Sequence, residues 1–167
     1  MTQTILEKIL RKKKEEVALI KKDSSYLLTK EAQSQKKPSL KKQLESKHSL
    51  GIIAEIKRAS PSKGMINEGV NPVVQAKLYE ANGASAISVL TDEEGFKGTF
   101  NDLLEVRKAV DIPILCKDFI VDKIQIDFAR AHGANVILLI ASVLSYNLEI
   151  KFGCVKIYIN PFFLIST

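Results

Sequence analysis

Tryptophan is absent from the 167 residues of this chain, and aromatic residues make up only 7% of it. Proteins that bind single-stranded nucleic acid usually stack bases on exposed aromatic rings, and so few rings argue against such a surface. Hydrophobic residues reach 46% and charged residues 26%, as in an ordinary globular domain with an aliphatic core. The chain is long enough to bury such a core within a single domain.

The spacings that hold metal ions are also missing. Cys116 and Cys154 are far apart and neither forms a CxxC pair, while His48 and His132 have no partner at ligand spacing. The sequence therefore predicts no metal site. Cys116 lies in the apolar run PILCKDF, where we expect a packed thiol rather than a nucleophile.

Long apolar runs are missing as well. No run approaches the roughly 18 residues of a membrane-spanning helix, so no membrane partner is expected. No secretory signal opens the chain, and both cysteines are predicted to be free thiols in a reducing cytoplasm.

Positive charge is concentrated at one end of the chain. The formal net charge is +6, and residues 1–48 hold 13 of the 25 Lys and Arg residues but 6 of the 19 Asp and Glu residues. A basic arm of this kind could bind nucleic acid. We favour a solvated amphipathic helix followed by a Lys-rich linker, because acidic residues are interspersed and no nucleic-acid-binding motif follows. The apolar stripe of this helix is predicted to consist of Ile5, Ile9, Leu10, Val17 and Ile20.

From residue 51 onward, short apolar strands alternate with helical segments. The strands are predicted at 51–57, 86–91, 113–119 and 135–142, and the helices between them at 72–83, 100–110 and 122–133. Nearly continuous apolar strands are typical of a parallel sheet covered by helices. The first strand lacks the GxGxxG turn of a doubly wound sheet. Charged residues at strand ends favour a (β/α) barrel instead: Glu55, Lys57, Lys117 and Asp118.

The alternation stops after Ser145. A full (β/α)8 TIM barrel needs about 200 residues or more, whereas four strand–helix units are visible here. We therefore expect one partial barrel domain with three parts, a helical extension at 1–48, the first four β/α units at 49–145, and an unrelated tail at 146–167. Two sheet edges would then lack partners, which favours self-association.

Three charged residues at the strand ends form the candidate site. Residues two apart on a strand point to the same face, so Glu55 and Lys57 share one face, and alternate barrel strands contribute to one layer, which brings Lys117 near them. A carboxylate can hold one lysine charged as a general acid while the other lysine meets an anionic group. A plain salt bridge at the barrel rim is the alternative interpretation. Ser60 and Pro61, in the following loop, fit either an anion contact or ordinary turn chemistry.

These segments resemble indole-3-glycerol-phosphate synthases. The similarity is carried by AEIKRASPSKG (54–64), AISVLTDEEGFKGTFNDLLEVRKAV (86–110), IPILCKDFIVDKIQIDFARAHGA (112–134) and VILLIA (136–141), and the opening ILEKILRKKKEEV is similar to that family's N-terminal helix. The resemblance implies a lyase of tryptophan biosynthesis without a metal or organic cofactor. Its substrate is the sugar phosphate 1-(2-carboxyphenylamino)-1-deoxyribulose 5-phosphate.

The resemblance also implies roles for individual residues. Lys117 matches the general acid, Glu55 the carboxylate that orients it, and Lys57 the lysine that contacts the anionic groups of the substrate. The remaining matches are to a loop and to apolar walls of the pocket: Ser60, Pro61, Phe119 and Leu138. The family's second carboxylate, its Asn–Arg pair and its phosphate cradle have no counterpart after Ser145.

Three alternatives stay open at this point. The chain could be a non-catalytic half-barrel that self-associates, or a barrel that acts on another sugar phosphate. A basic-arm nucleic-acid binder is the third, and it would show salt-sensitive binding to duplex DNA.

Overall fold

The computed structural model describes residues 4–23, 38–46, 50–140 and residue 143. A parallel four-stranded sheet forms its centre, in the order β1-β4-β5-β6. Its strands are β1 (Ile53–Ile56), β4 (Ala86–Leu90), β5 (Ile114–Lys117) and β6 (Val136–Ile137). A separate antiparallel hairpin joins β2 (Ala59–Ser60) to β3 (Gly64–Met65). The predicted parallel α/β architecture is thus confirmed for the described residues, and closure into a barrel stays a prediction.

Six helices accompany these strands in the described residues. They are α1 (Ile5–Lys22), α2 (Leu40–Glu45), α3 (Pro72–Ala81), α4 (Glu93–Phe96), α5 (Phe100–Ala109) and α6 (Ile124–Ala131). None of these helices combines the length and apolar character that crossing a membrane requires.

Local capping chemistry explains where the helices begin and end. Thr4 and Thr99 each form a capping box with an acidic residue three positions on, at the starts of α1 and α5. Asn71 caps α3 just before a proline at the first helical position, as predicted. After α3 and α6 the chain reverses at Gly83 and Gly133, whose φ values of 86° and 103° favour glycine.

The core lies between the sheet and the helices α3, α5 and α6. Side chains from one face of the sheet pack against helix side chains and are almost fully buried; they include Ile87, Val89, Ile114 and Cys116 from the strands and Ala76, Leu103, Val106 and Ala129 from the helices. Cys116 is 0% exposed, so its predicted core role is confirmed. Because strand side chains alternate, the opposite face carries a different set. In register across it lie Glu55, Ser88 and Leu115.

The structure corrects several predicted element boundaries, among them those of β6 and α6. The strand predicted at 135–142 is limited to Val136–Ile137, which pair with Leu115 and Cys116 of β5. Residues 141 and 142 lie outside the described residues. Asp122 was predicted to cap α6; its carboxylate accepts a hydrogen bond from the backbone of Ile124, but α6 begins only at that residue.

The predicted charge pattern of α1 was also wrong in part. Val17 is buried as expected, but Ile5, at the start of the predicted apolar stripe, is 59% exposed. Lys13, which was assigned to the solvated face, is only 1% exposed. The helix packs against α6 and places this lysine over the ends of β4 and β5.

Candidate acid–base site

The carboxylate of Glu55 lies between two lysine ammonium groups. One of its oxygens, Oε2, accepts a short hydrogen bond from Lys117 Nζ. The other, Oε1, lies 2.9 Å from Lys57 Nζ. Strand geometry alone predicted that these three side chains meet, and the structure brings them together.

The strands explain how these groups converge. Glu55 and Lys57 project from the same face of the chain at the end of β1, and Lys117 ends β5, with β4 between the two strands. The Glu55 side chain is 1% exposed, whereas those of Lys57 and Lys117 are 19% and 23% exposed. The two ammonium groups therefore face the accessible side of the site, and the three ionised groups carry a net charge of +1 that suits an anionic ligand.

The two ammonium groups balance the burial of the Glu55 carboxylate. Each of its oxygens has one lysine Nζ within ion-pairing distance. A buried carboxylate is unfavourable unless it is closely paired, so the two lysines allow Glu55 to be buried at this position.

A polar cavity of about 200 Å³ adjoins the Glu55–Lys57 pair. Its wall includes Asn67, Gln75 and Tyr79, and the Tyr79 hydroxyl donates to the backbone carbonyl of Glu55 over 3.2 Å. Helix α3 thus supports the end of β1 from the side.

Ser60 and Pro61 line a second cavity rather than this one. That cavity, of about 340 Å³, lies between the β2–β3 hairpin and the first turns of α1. Ser60 Oγ accepts a hydrogen bond from the backbone of Lys63 over 3.2 Å, as the turn interpretation requires. The structure does not bring these two residues into the cavity beside Glu55.

Phe119 and Leu138 line neither of these cavities. The ring of Phe119 lies 6.5 Å from that of Phe96, centroid to centroid, and both are partly exposed. Leu138 follows β6 directly, and its backbone donates to Cys116 at 3.4 Å. Their role as pocket walls therefore stays a prediction.

Sequence reasoning missed a buried ionic cluster behind the site. Lys13 Nζ lies 2.9 Å from Asp118 Oδ1, 3.2 Å from Asp92 Oδ2 and 2.8 Å from Glu16 Oε2. Burial alone would lower the pKa of Lys13, but the charge of Asp118 and the hydrogen bonds with Glu16 and Asp118 raise it above its usual value. One signal was available, because Lys13 lies four residues from both Ile9 and Val17 and so falls on the apolar stripe itself.

Asp118 directly follows the end of β5, consistent with its predicted place at a strand end, but it does not face the site. Its side chain is 1% exposed and points toward Lys13 and the Thr91 hydroxyl, which donates to it over 2.7 Å. Adjacent strand residues project to opposite faces, so Lys117 and Asp118 diverge. Within the described part of the chain, no three His, Cys, Asp or Glu side chains are grouped to hold a metal ion.

Parallel β/α units that present a buried carboxylate and two lysines at the carboxyl ends of their strands are typical of α/β enzymes with acid–base sites for anionic substrates. Within that class the comparison with known sequences is specific. Residues 6–152 match the family model described as indole-3-glycerol phosphate synthase, and the chain belongs to this family.

Several curated relatives carry that name. The protein from Exiguobacterium sibiricum is 51% identical over 140 residues, which cover 84% of this chain and 53% of the relative. One from Listeria monocytogenes is 52% identical over 143 residues, covering 85% and 54%. The protein from Oceanobacillus iheyensis is 65% identical over 96 residues, covering 58% and 37%. The chain thus spans about half the length of the curated relatives it matches.

Proposed function

We propose that this chain carries the acid–base part of an indole-3-glycerol-phosphate synthase site. The reaction converts 1-(2-carboxyphenylamino)-1-deoxyribulose 5-phosphate into indole-3-glycerol phosphate, carbon dioxide and water. The observation that supports the proposal is the Glu55 carboxylate held between Lys117 and Lys57 at the strand ends. Membership in the family supports the choice of substrate.

Lys117 is the proposed general acid. As the aromatic carbon attacks the ribulose carbonyl, negative charge develops on the carbonyl oxygen, and an ammonium group in contact with it can donate a proton. Glu55 holds that ammonium in place through its hydrogen bond, since a lysine side chain is otherwise free to rotate. When carbon dioxide leaves, the electron pair of the broken carbon–carbon bond returns to the six-membered ring, which becomes aromatic again. The hydroxyl group formed in the first step then takes up a proton and leaves as water, and loss of a proton from the adjacent carbon of the new five-membered ring completes the indole.

Lys57 is the proposed contact for the anionic groups of the substrate. Its ammonium is partly exposed beside the polar cavity and is shared with only one oxygen of Glu55. A lysine point charge suits a phosphate or carboxylate oxygen. Ser60 and Pro61 would meet the anthranilate end, and Phe119 and Leu138 would form apolar walls, with complete closure as a TIM barrel around them.

The test is the appearance of indole fluorescence on addition of the carboxyphenylamino-ribulose phosphate. The chain has no tryptophan, so indole emission arises from the product alone. We expect Lys117→Met to lower kcat at least about 100-fold, the usual range for loss of a general acid, while the exposed control Lys41→Met leaves it unchanged. Equal rates in Lys117→Met and the parent chain would contradict the proposed role.

Self-association is a second candidate property, favoured by one observation. In the described residues β1 pairs only with β4, so its other edge presents unpaired backbone groups. Just before β1 in the chain, two apolar side chains are also exposed, Leu50 at 86% and Ile52 at 52%. Sedimentation across a concentration series measures this directly. A concentration-independent monomer mass would contradict it, and turnover by that monomer would also exclude a purely structural half-barrel.

The reaction also fits the predicted compartment. The phosphorylated substrate of a biosynthetic reaction suits the cytoplasm, and the free thiol of Cys116 suits a reducing compartment.

If another sugar phosphate were the true substrate, the chain would bind that compound while the carboxyphenylamino derivative gave no product.

A further inference from the structure

We propose that Lys13 is a positioning residue for the acid–base site, acting through Asp118 on its chain neighbour Lys117. The inference rests on the proposed role of Lys117. Lys13 lies on α1, remote in sequence from the strands that carry the site, and none of its contacts is with the Glu55 carboxylate.

The first argument is the burial of the cluster. The Lys13 side chain is 1% exposed, and those of its partners Asp118 and Asp92 are 1% and 4% exposed. Bringing a lysine and two carboxylates out of water is unfavourable unless each is closely paired. Helix α1 could have been held by an apolar residue at this position, so the ionic group needs an explanation beyond helix packing.

The second argument is what Asp118 holds. Besides Lys13, its carboxylate accepts hydrogen bonds from the Thr91 hydroxyl and from the backbone of Phe119, each over 2.7 Å. The backbone of Thr91 in turn donates to the Lys117 carbonyl over 3.4 Å. The peptide group between Lys117 and Asp118 is therefore held by Thr91, whose hydroxyl Asp118 binds, and the next peptide group is held by Asp118 itself. The direction in which Lys117 projects toward Glu55 depends on this stretch of backbone.

The third argument concerns Asp92, the other buried partner. Its carboxylate caps the short helix α4 by accepting from the backbone of Gly95 over 2.7 Å. One ammonium therefore holds both the loop after β4 and the end of β5. Lys117 is the last residue of β5 and lies in register with Leu90, the last residue of β4.

The fourth argument is charge. Lys13 faces Glu16 on its own helix, Asp92 from the loop after β4 and Asp118 after β5, while Lys117 faces Glu55 from β1, which Lys57 shares. Without Lys13, the buried carboxylates of Asp92 and Asp118 lose their counter-ion. Their uncompensated negative charge would favour the protonated form of nearby Lys117 and oppose proton donation.

The experiment measures residue-resolved acetylation of Lys117 by mass spectrometry across a pH series, which requires no substrate. Only the neutral amine reacts, so the pH midpoint of acetylation reports how strongly the ammonium form is held. We expect Lys13→Met to slow acetylation of Lys117 about threefold or more at a pH below the midpoint, and Lys13→Arg to restore most of the parent rate. The control Lys12→Met, at a half-exposed neighbour on the same helix, leaves the profile unchanged.

A second variant covers the case in which Lys13→Met does not fold. Asp118→Asn removes one carboxylate and leaves Lys13 paired with Asp92 and Glu16, so acetylation of Lys117 should become faster than in the parent chain. Unchanged Lys117 profiles in folded Lys13→Met and Asp118→Asn would overturn the proposal and leave Lys13 a purely structural residue.

Enzymatic turnover provides a second, independent test. If the parent chain forms indole product, Lys13→Met should lower kcat with KM within about twofold, since substrate contacts are not removed. If the parent chain is inactive but the acetylation shifts occur, the proposed activity fails for this chain while the positioning role stands.

Discussion

Arg58 and Asp102 form a bidentate ion pair, in which Arg58 Nη1 lies 2.7 Å from Asp102 Oδ2 and Arg58 Nη2 lies 3.0 Å from Asp102 Oδ1. The pair joins the segment after β1 to the first turn of α5. Asp102 also completes the capping box of that helix by accepting from the backbone of Thr99 over 3.0 Å. Because Arg58 directly follows Lys57, this contact anchors the end of the strand that carries the candidate site.

The pair predicts an acid-dependent contribution to stability. Burial would raise the pKa of Asp102, but hydrogen bonds from Arg58 and its positive charge hold it below the usual 3.8. Because the pKa of Asp102 is lower in the folded chain than in the unfolded chain, its ionised carboxylate stabilises the fold at pH values above 3.8. This stabilisation is lost as the pH falls through the pKa of the folded state. We expect Asp102→Asn to reduce the free energy of unfolding by about 1–3 kcal/mol at pH 7.

Urea unfolding of the parent and Asp102→Asn at pH 7 and near pH 2 measures this difference. The difference in free energy of unfolding between the two proteins should be smaller near pH 2 than at pH 7. An equal difference at both pH values would contradict the stabilising role of the ionised Asp102 carboxylate. Glu105→Gln, in an exposed pair with Lys108 on the same helix, provides the control and should change stability little.

Cys116 should be chemically inert in the folded protein. Burial, with a further contribution from the charge of Asp118, raises the pKa of its thiol to about 12. Only the thiolate reacts readily, so at pH 8 a thiol reagent should modify Cys116 no faster than the chain unfolds. The Cys154→Ser background isolates this thiol, and urea should make it react at once. Rapid labelling of the folded chain would show that this strand is not packed as described.

Gly98 should tolerate no side chain. A Cβ atom there would lie 1.9 Å from the Leu90 carbonyl oxygen, a backbone atom that cannot move aside cheaply. We expect Gly98→Ala to lower the free energy of unfolding by about 2 kcal/mol or more. Gly69→Ala is the matched control, since its nearest neighbour would be the Asn67 side chain at 3.5 Å. Equal thermal midpoints for the two variants would rule out the close approach of the Gly98 loop to β4.

Tyr79 should contribute to the site without taking part in catalysis. Its hydroxyl donates to the Glu55 carbonyl, and its removal in Tyr79→Phe leaves the ring in place. We expect a loss of about 0.5–1.5 kcal/mol in the free energy of unfolding, the usual net value of one hydrogen bond. If Tyr79→Phe left the free energy of unfolding unchanged, the hydrogen bond from α3 would contribute negligibly to holding the end of β1.

Local patterns were sufficient to predict much of this molecule. The Asn71–Pro72 pair and Gly83 marked both ends of α3, because capping and chain reversal depend on neighbouring residues. The alternation of strand side chains brought Glu55 and Lys57 onto one face, and parallel order brought Lys117 toward them. The shared face of Glu55 and Lys57 follows from the two-residue repeat of strand side chains alone.

What the sequence could not predict depends on distant partners. Lys13 sits in a run of basic residues and differs from Lys12 and Lys14 only by its position on the helix. Its burial is possible because Asp92 and Asp118 come from separate strand ends, and no local pattern links them.

The long reach of α1 has a consequence for the order in which the chain folds. The helix precedes the sheet in the chain, yet Lys21 pairs with Asp122, a residue 101 positions later. A newly made α1 therefore has a capping box but none of its distant counter-ions while the rest of the chain is still being translated. It can dock only after β5 and the residues that follow it have been made, so α1 is synthesised long before its docking site exists.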